Sequence, residues 1–115
     1  MRLGALTVQL HKSRARGPVR LQLAGELDTA VADEFQQAIE VGWAIGSGTL
    51  VIDLRDLAFM DLTSVEILLN AQRRAAQDGS RLGIIVGDAA SRVLERAGVL
   101  GFFEVIPAAA EPAPR

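Results

Sequence analysis

At 115 residues, half of them hydrophobic and 23% charged, the chain is long enough for one packed domain, too short for two, and too apolar to be disordered. A net charge of −2 supplies no basic footprint for nucleic acid. Having no cysteine excludes disulfides, thiolate catalysis and Cys-ligated zinc, and one histidine, His11, excludes His-based triads and multi-His metal sites, so no cofactor is expected.

From the N-terminus, Met1 to Ala5 lacks the uninterrupted apolar core of a signal peptide, and Ile84-Ile85-Val86 is far too short to span a bilayer. A cytoplasmic location without membrane insertion is expected. Leu6 to Leu10 and Val19 to Leu23 each alternate apolar and polar residues, the pattern of strands with one covered face. Their closeness predicts an antiparallel hairpin whose tip carries the basic residues Lys12, Arg14 and Arg16. Gly25-Glu26-Leu27-Asp28 ends the second strand, and Asp28 is placed to cap a helix with Val31, Phe35, Ala38, Ile39 and Gly42 on one face. After Gly46-Ser47-Gly48, the apolar run Leu50-Val51-Ile52 predicts a central strand buried on both faces.

A short polar turn and a helix from about Thr63 to Gln77 follow, with Val65, Leu68, Leu69, Ala75 and Ala76 on one stripe and Asp78-Gly79 as its stop. Leu82 to Val86 is the next strand. Asp88 is placed to cap a third helix with Ala90, Val93, Leu94 and Ala97 inward and Gly98 at its end. Phe102 to Ile106 forms a last strand, and the proline- and alanine-rich segment 107–115 is read as a disordered tail. The order β-β-α-β-α-β-α-β demands right-handed crossovers between parallel strands. The predicted fold is therefore a single α/β domain over residues 1–106, with a small, mixed, mostly parallel sheet packed with helices.

The stretch Val51-Ile52-Asp53-Leu54 to Phe59-Met60-Asp61-Leu62-Thr63-Ser64-Val65 concentrates polar groups where a helix begins. Such a terminus presents unpaired N–H groups and the positive end of the helix dipole, a favourable setting for negative charge. Four segments in order, Val19–Asp28, Thr49–Asp61, Ala75–Leu82 and Val93–Val99, resemble the STAS domain family of bacterial anti-sigma factor antagonists, over about Leu6 to Ile106. The resemblance implies a partner-binding surface that includes Asp28, Met60, Asp61, Leu62, Thr63 and Ser64. In that family an aspartate is followed by a phosphorylatable serine, a second hydroxyl residue and a glycine. Here Asp61 keeps the aspartate, Leu62 stands in the phosphoserine slot, Thr63 keeps the second hydroxyl, and Ser64 replaces the glycine. The usual switch is thereby absent or displaced onto Thr63 or Ser64.

Local chemistry offers another reading of the same residues. Thr63-Ser64-Val65-Glu66 matches a capping box, with Thr63 as the cap and Leu62 and Ile67 as the hydrophobic staple. Capping is favoured over phosphorylation for Thr63, and Asp28 is favoured as a cap over a site residue. An exposed Leu62 would instead serve as an apolar contact for a partner.

The resemblance implies a non-enzymatic protein-interaction module that binds an anti-sigma factor of the histidine-kinase-like ATPase type, releases a sigma factor and so regulates transcription. The alternative is a STAS subunit of a phospholipid-transport ABC ATPase complex, which needs no serine at position 62. A monomer or weak dimer is expected. A phosphoaspartate receiver centred on Asp53 is rejected, because the first strand ends in His11-Lys12 instead of an acidic pair and no lysine follows Lys12. Without a phosphate-cradling glycine motif, no other enzymatic site is indicated.

Overall fold

The computed structural model describes residues 2–12, 17–46 and 48–107. The predicted C-terminal tail from 108 onward lies outside the described residues, as do Arg14, Arg16 and Ser47. The strands are β1 (Arg2–Leu3), β2 (Leu6–Lys12), β3 (Val19–Leu27), β4 (Thr49–Met60), β5 (Arg81–Val86) and β6 (Glu104–Val105), and the helices are α1 (Ala32–Ile45), α2 (Leu62–Asp78) and α3 (Asp88–Arg96). They form one α/β domain around a six-stranded sheet ordered β1-β2-β3-β4-β5-β6. The first three strands pair antiparallel and the remaining neighbours pair parallel. The expected element order holds, with β1 added at the edge. As expected, β4 is central: Leu21 pairs with Ile52 and Ile52 with Ile84.

From β3 to β6 the chain advances one strand at a time in one direction. Successive right-handed crossovers in one direction place every connecting helix on the same side of a sheet. Accordingly Phe35 and Ile39 of α1, Val65 and Leu68 of α2, and Ala90 and Leu94 of α3 join Leu21, Ile52 and Ile84 in one core cluster. Side chains alternate across a strand, so Arg20, Gln22 and Asp53 project from the opposite, helix-free face. Thus β4 is central with helices covering one face only, and on the other face Val51 is partly buried and Asp53 fully buried.

The sequence reading also placed a turn after Asp53, whereas β4 runs on to Met60 and β3 on to Leu27. Register shifts opposite Gln22–Ala24 and Gly25–Glu26 insert extra residues into β4. These bulges break the alternation, leaving Leu54, Leu57 and Met60 buried at intervals of three and Phe59 exposed. Gly25 lies within this paired region at φ +103°, where a Cβ would meet the Ala5 carbonyl oxygen at 2.1 Å, so no other residue fits there.

Helix boundaries follow from the first and last available partners. Gly79, at φ 70°, closes α2 in the left-handed conformation, as its sequence implies. Gly87, not Asp88, precedes α3, because its carbonyl already accepts the Ser91 N–H at 3.0 Å. The inner stripes are narrower than predicted, with Ala76 and Ala97 exposed and Ala71 buried in addition. At the C-terminal end Leu100–Phe102 forms a 3-10 turn, which leaves β6 only two residues long. Between the helices, Arg74 of α2 lies 5.3 Å from the Trp43 ring centroid and pairs with Glu40 of α1.

Candidate interaction site at the start of the second helix

The parallel strands β3 and β4 end side by side at the buried pair Leu27 and Met60. After each strand the backbone turns into helix, so two helical starts lie side by side beyond the C-terminal ends of β3 and β4. Asp28, in extended conformation, accepts the Ala30 N–H through Oδ1 at 3.0 Å and caps the 3-10 turn Thr29–Val31 that leads into α1. Asp61, also extended, accepts the Ser64 N–H through Oδ1 at 2.9 Å and caps α2.

Asp61 therefore takes the capping role that sequence reading assigned to Thr63. Because pairing with β3 continues to Met60 and the Asp61 N–H still donates to the Leu27 carbonyl at 3.2 Å, the first free residue is Leu62 and the helix begins there. Thr63 consequently sits inside the first turn. Leu62 is 66% exposed while Ile67 is buried, so these two do not form the expected staple.

One hydrogen-bonded chain links the two turns. Ser64 Oγ lies 2.9 Å from Asp61 Oδ1 and 3.1 Å from the Leu27 carbonyl, donating its single proton to one of them at a time. Thr29 Oγ1 donates to Asp61 Oδ2 at 3.1 Å and lies 3.4 Å from Thr63 Oγ1. Burial is the largest influence on the Asp61 carboxyl and raises its pKa. The hydrogen bonds from Ser64 and Thr29 together outweigh burial and hold the pKa below the ordinary aspartate value, so Asp61 is ionised at neutral pH.

The six residues singled out from sequence divide by position. Met60 and Ser64 are buried and support the surface from beneath. Asp28, Asp61 and Thr63 are partly exposed at its rim, and Leu62 projects from it. Two further residues join them: Thr29, whose exposed hydroxyl reaches Asp61, and Phe59, which is 47% exposed. Thr29 follows the Gly-Glu-Leu-Asp turn directly, and that adjacency was the available signal. Phe59 opens the signature stretch Phe59–Ser64, and the bulge turns it outward. A shallow depression lined by Glu66, Leu69, Asn70 and Arg73 continues the surface along the outer side of α2.

A second polar cluster lies on the helix-free face. Asp53 is fully buried; its Oδ1 accepts the Arg55 backbone N–H at 3.1 Å and Arg55 Nε at 3.0 Å, and its Oδ2 accepts Arg55 Nη2 at 2.6 Å and Arg20 Nη1 at 3.0 Å. Burial raises its pKa most strongly, but the bonds and charges of Arg55 and Arg20 prevail and hold it low. Both carboxylate oxygens are thus engaged by arginine, which leaves this aspartate a structural ion-pair centre. Gln22 extends the cluster to Asp56 at 3.2 Å and His11 at 2.9 Å. Among the described residues, no group of three or more His, Asp or Glu side chains is arranged to hold a metal ion, and no helix is long and apolar enough to cross a membrane.

Comparison with known proteins agrees with this architecture. Among solved structures, an anti-sigma factor antagonist from Mycobacterium paratuberculosis superposes with a TM-score of 0.74 at 22% identity, over 90% of this chain and 86% of that one. The anti-sigma factor antagonist SpoIIAA in its unphosphorylated form gives 0.68 at 22% identity, over 89% of this chain and 88% of that one. SpoIIAA, described as a Bacillus cell fate determinant, gives 0.66 in its phosphorylated form at 22% identity, over 89% of this chain and 91% of that one. These likenesses establish the fold. No curated protein sequence matches significantly. The family profile described as "Mlab, STAS domain" matches residues 10–106, nearly the whole folded region, and the chain accordingly belongs to the STAS domain family.

Proposed function

We propose that this protein is a non-enzymatic interaction module of the anti-sigma factor antagonist type, which binds an anti-sigma factor of the histidine-kinase-like ATPase class and thereby releases a sigma factor. The observation that carries this reading is Leu62, a large apolar side chain 66% exposed in the first turn of α2. The turn that carries it is held by the Asp61 cap on the Ser64 N–H and by the Thr29–Asp61–Ser64 chain. An apolar residue on a preorganised surface contributes to association with little ordering cost. Phe59 and the partly exposed Thr63 extend the contact, and Asp28 and Asp61 give it a negative rim. Two solved structures that share the fold are described as anti-sigma factor antagonists, which supports an anti-sigma factor as the partner.

A second reading, a STAS subunit of a phospholipid-transport ABC ATPase complex, requires no hydroxyl at position 62. The family profile, described as Mlab, is consistent with it. Cross-linking capture with the full chain in its native host, followed by mass spectrometry, separates the two. An anti-sigma ATPase supports the first reading and a transporter ATPase subunit the second. Leu62→Asp should weaken the purified complex at least tenfold, because burying a leucine is worth about 1.5–3 kcal/mol and 1.4 kcal/mol is a factor of ten. An unchanged Kd for Leu62→Asp would place the contact elsewhere.

A further inference from the structure

We propose that the segment 108–115 docks across the helix-free face of the sheet, with its alanines over Val51 and Ile85 and Glu111 beside Arg55. Residues paired in register point to the same face of a sheet. Val51 pairs with Gly83 and Asp53 with Ile85, so Gly83 and Ile85 lie on the side away from the helices. Ile85 is 1% exposed, yet it stands outside the core cluster that holds its neighbour Ile84. A second apolar contact region therefore exists on this face, although none of the described helices packs there.

The chain itself enters that region. The Ile106 N–H donates to the Ile84 carbonyl at 2.7 Å, which keeps the backbone beside β5 past the end of β6. A Cβ on Gly83 would meet Ile106 Cδ1 at 2.3 Å, so Ile106 fills the space that a side chain at Gly83 would take. The order of the residues that follow matches the order of the surface. Ala108-Ala109-Ala110 are small and apolar, and Glu111 comes after them. Crossing away from β6, the face presents Ile85 on β5 and then Val51 on β4. Arg55, further along β4, binds Asp53 and keeps 34% of its side chain exposed. Strands lie about 4.8 Å apart, so β4 is about 10 Å from β6, and the five residues from Pro107 to Glu111 reach about 17 Å when extended. Pro107, Pro112 and Pro114 each fix one backbone dihedral, which reduces the entropy lost on docking. An extended proline-containing chain needs no ladder partners, so it can lie over a face instead of along an edge. A carboxylate against a guanidinium ends the contact with a charge-assisted pair. Seated there, the segment closes this face to other proteins and leaves the helix side and the strand ends for partners.

The test is methyl NMR on the wild-type full-length chain. Cross-relaxation between alanine methyls of 108–110 and the methyls of Val51 or Ile85 is expected, unchanged on dilution and weakened in Glu111→Lys. Absence of any such contact would overturn the proposal. So would contacts that a mixed-label sample shows to run between two molecules, because the occupant would then be a second copy. Since the chain has no cysteine, a pair of introduced thiols gives an independent reading. Mild oxidation should join Ala110→Cys to Val51→Cys within one molecule on the order of tenfold faster than it joins Ala110→Cys to Gln37→Cys on the exposed side of α1. Equal rates would overturn the proposal. Thermal melts establish folding, and if Val51→Cys does not fold, the methyl contacts of the wild type decide.

Discussion

Replacing Asp61 with alanine isolates the cap on which the candidate surface is built. The carboxylate receives the Ser64 N–H at 2.9 Å, Ser64 Oγ at 2.9 Å and Thr29 Oγ1 at 3.1 Å. These losses are unequal. Thr29 is exposed and takes water as its new acceptor, and Ser64 Oγ keeps the Leu27 carbonyl at 3.1 Å. The Ser64 N–H has no such recourse, because the residue is fully buried. Losing a capping side chain costs about 0.5–2 kcal/mol, and a stranded buried donor about 1–3 kcal/mol. Both figures describe the same broken bond, so they overlap instead of adding, and a loss of about 2 kcal/mol is expected.

Urea denaturation followed by circular dichroism should show that loss with an unchanged m-value. Asp61→Asn keeps an acceptor oxygen and forfeits mainly the charge–dipole term, about 0.3–1 kcal/mol. The folded pKa of Asp61 lies below its unfolded value of about 3.9. Its stabilisation is therefore fully present above that value and lost as pH falls through the folded pKa. The gap between wild type and the alanine variant should stay constant near neutrality and narrow only in acid. A loss under about 0.5 kcal/mol for Asp61→Ala at pH 7 would refute the cap as the organiser of this site.

Two further outcomes concern the body of the fold. Asp53→Ala removes the buried carboxylate that Arg20, with a side chain 11% exposed, and Arg55, 34% exposed, both engage. Breaking such a pair costs about 3–5 kcal/mol. Because both arginines reach solvent, the lower end is expected by urea denaturation, and a loss below about 1 kcal/mol would show the cluster to be dispensable. Leu68 of α2 is fully buried in the core, so Leu68→Ala should lose about 2–5 kcal/mol, and an unchanged denaturation midpoint would contradict its placement.

Much of the fold was legible because local pattern and global architecture agree. The alternation in Leu6–Leu10 and Val19–Leu23, and the spacing of Val31, Phe35, Ile39 and Gly42, report which face of each element meets the core, and those side chains are buried or nearly so where the pattern placed them, apart from Leu10 at the hairpin. The crossover rule then constrained the strand order. The stretch from Leu54 to Met60 looked like a turn because bulging destroys the two-residue period on which a strand is recognised. Bulging is decided by pairing with β3, some thirty residues away in sequence, and nothing local to β4 announces it.

The same distinction runs through the candidate site. Sequence alone determined that an aspartate, two hydroxyls and a leucine cluster at a helix start, since neighbours in the chain remain neighbours in the fold. It could not determine which of them caps, which is buried and which faces outward. Those roles follow from how far β4 stays paired with Leu27, which shifts the helix start to Leu62 and gives the cap to Asp61. Nor could it bring Thr29 to Asp61, because that contact exists only where parallel strands end together. Local periodicity records which side of an element is apolar. Partners across a sheet depend on register, which is set only when the whole core closes.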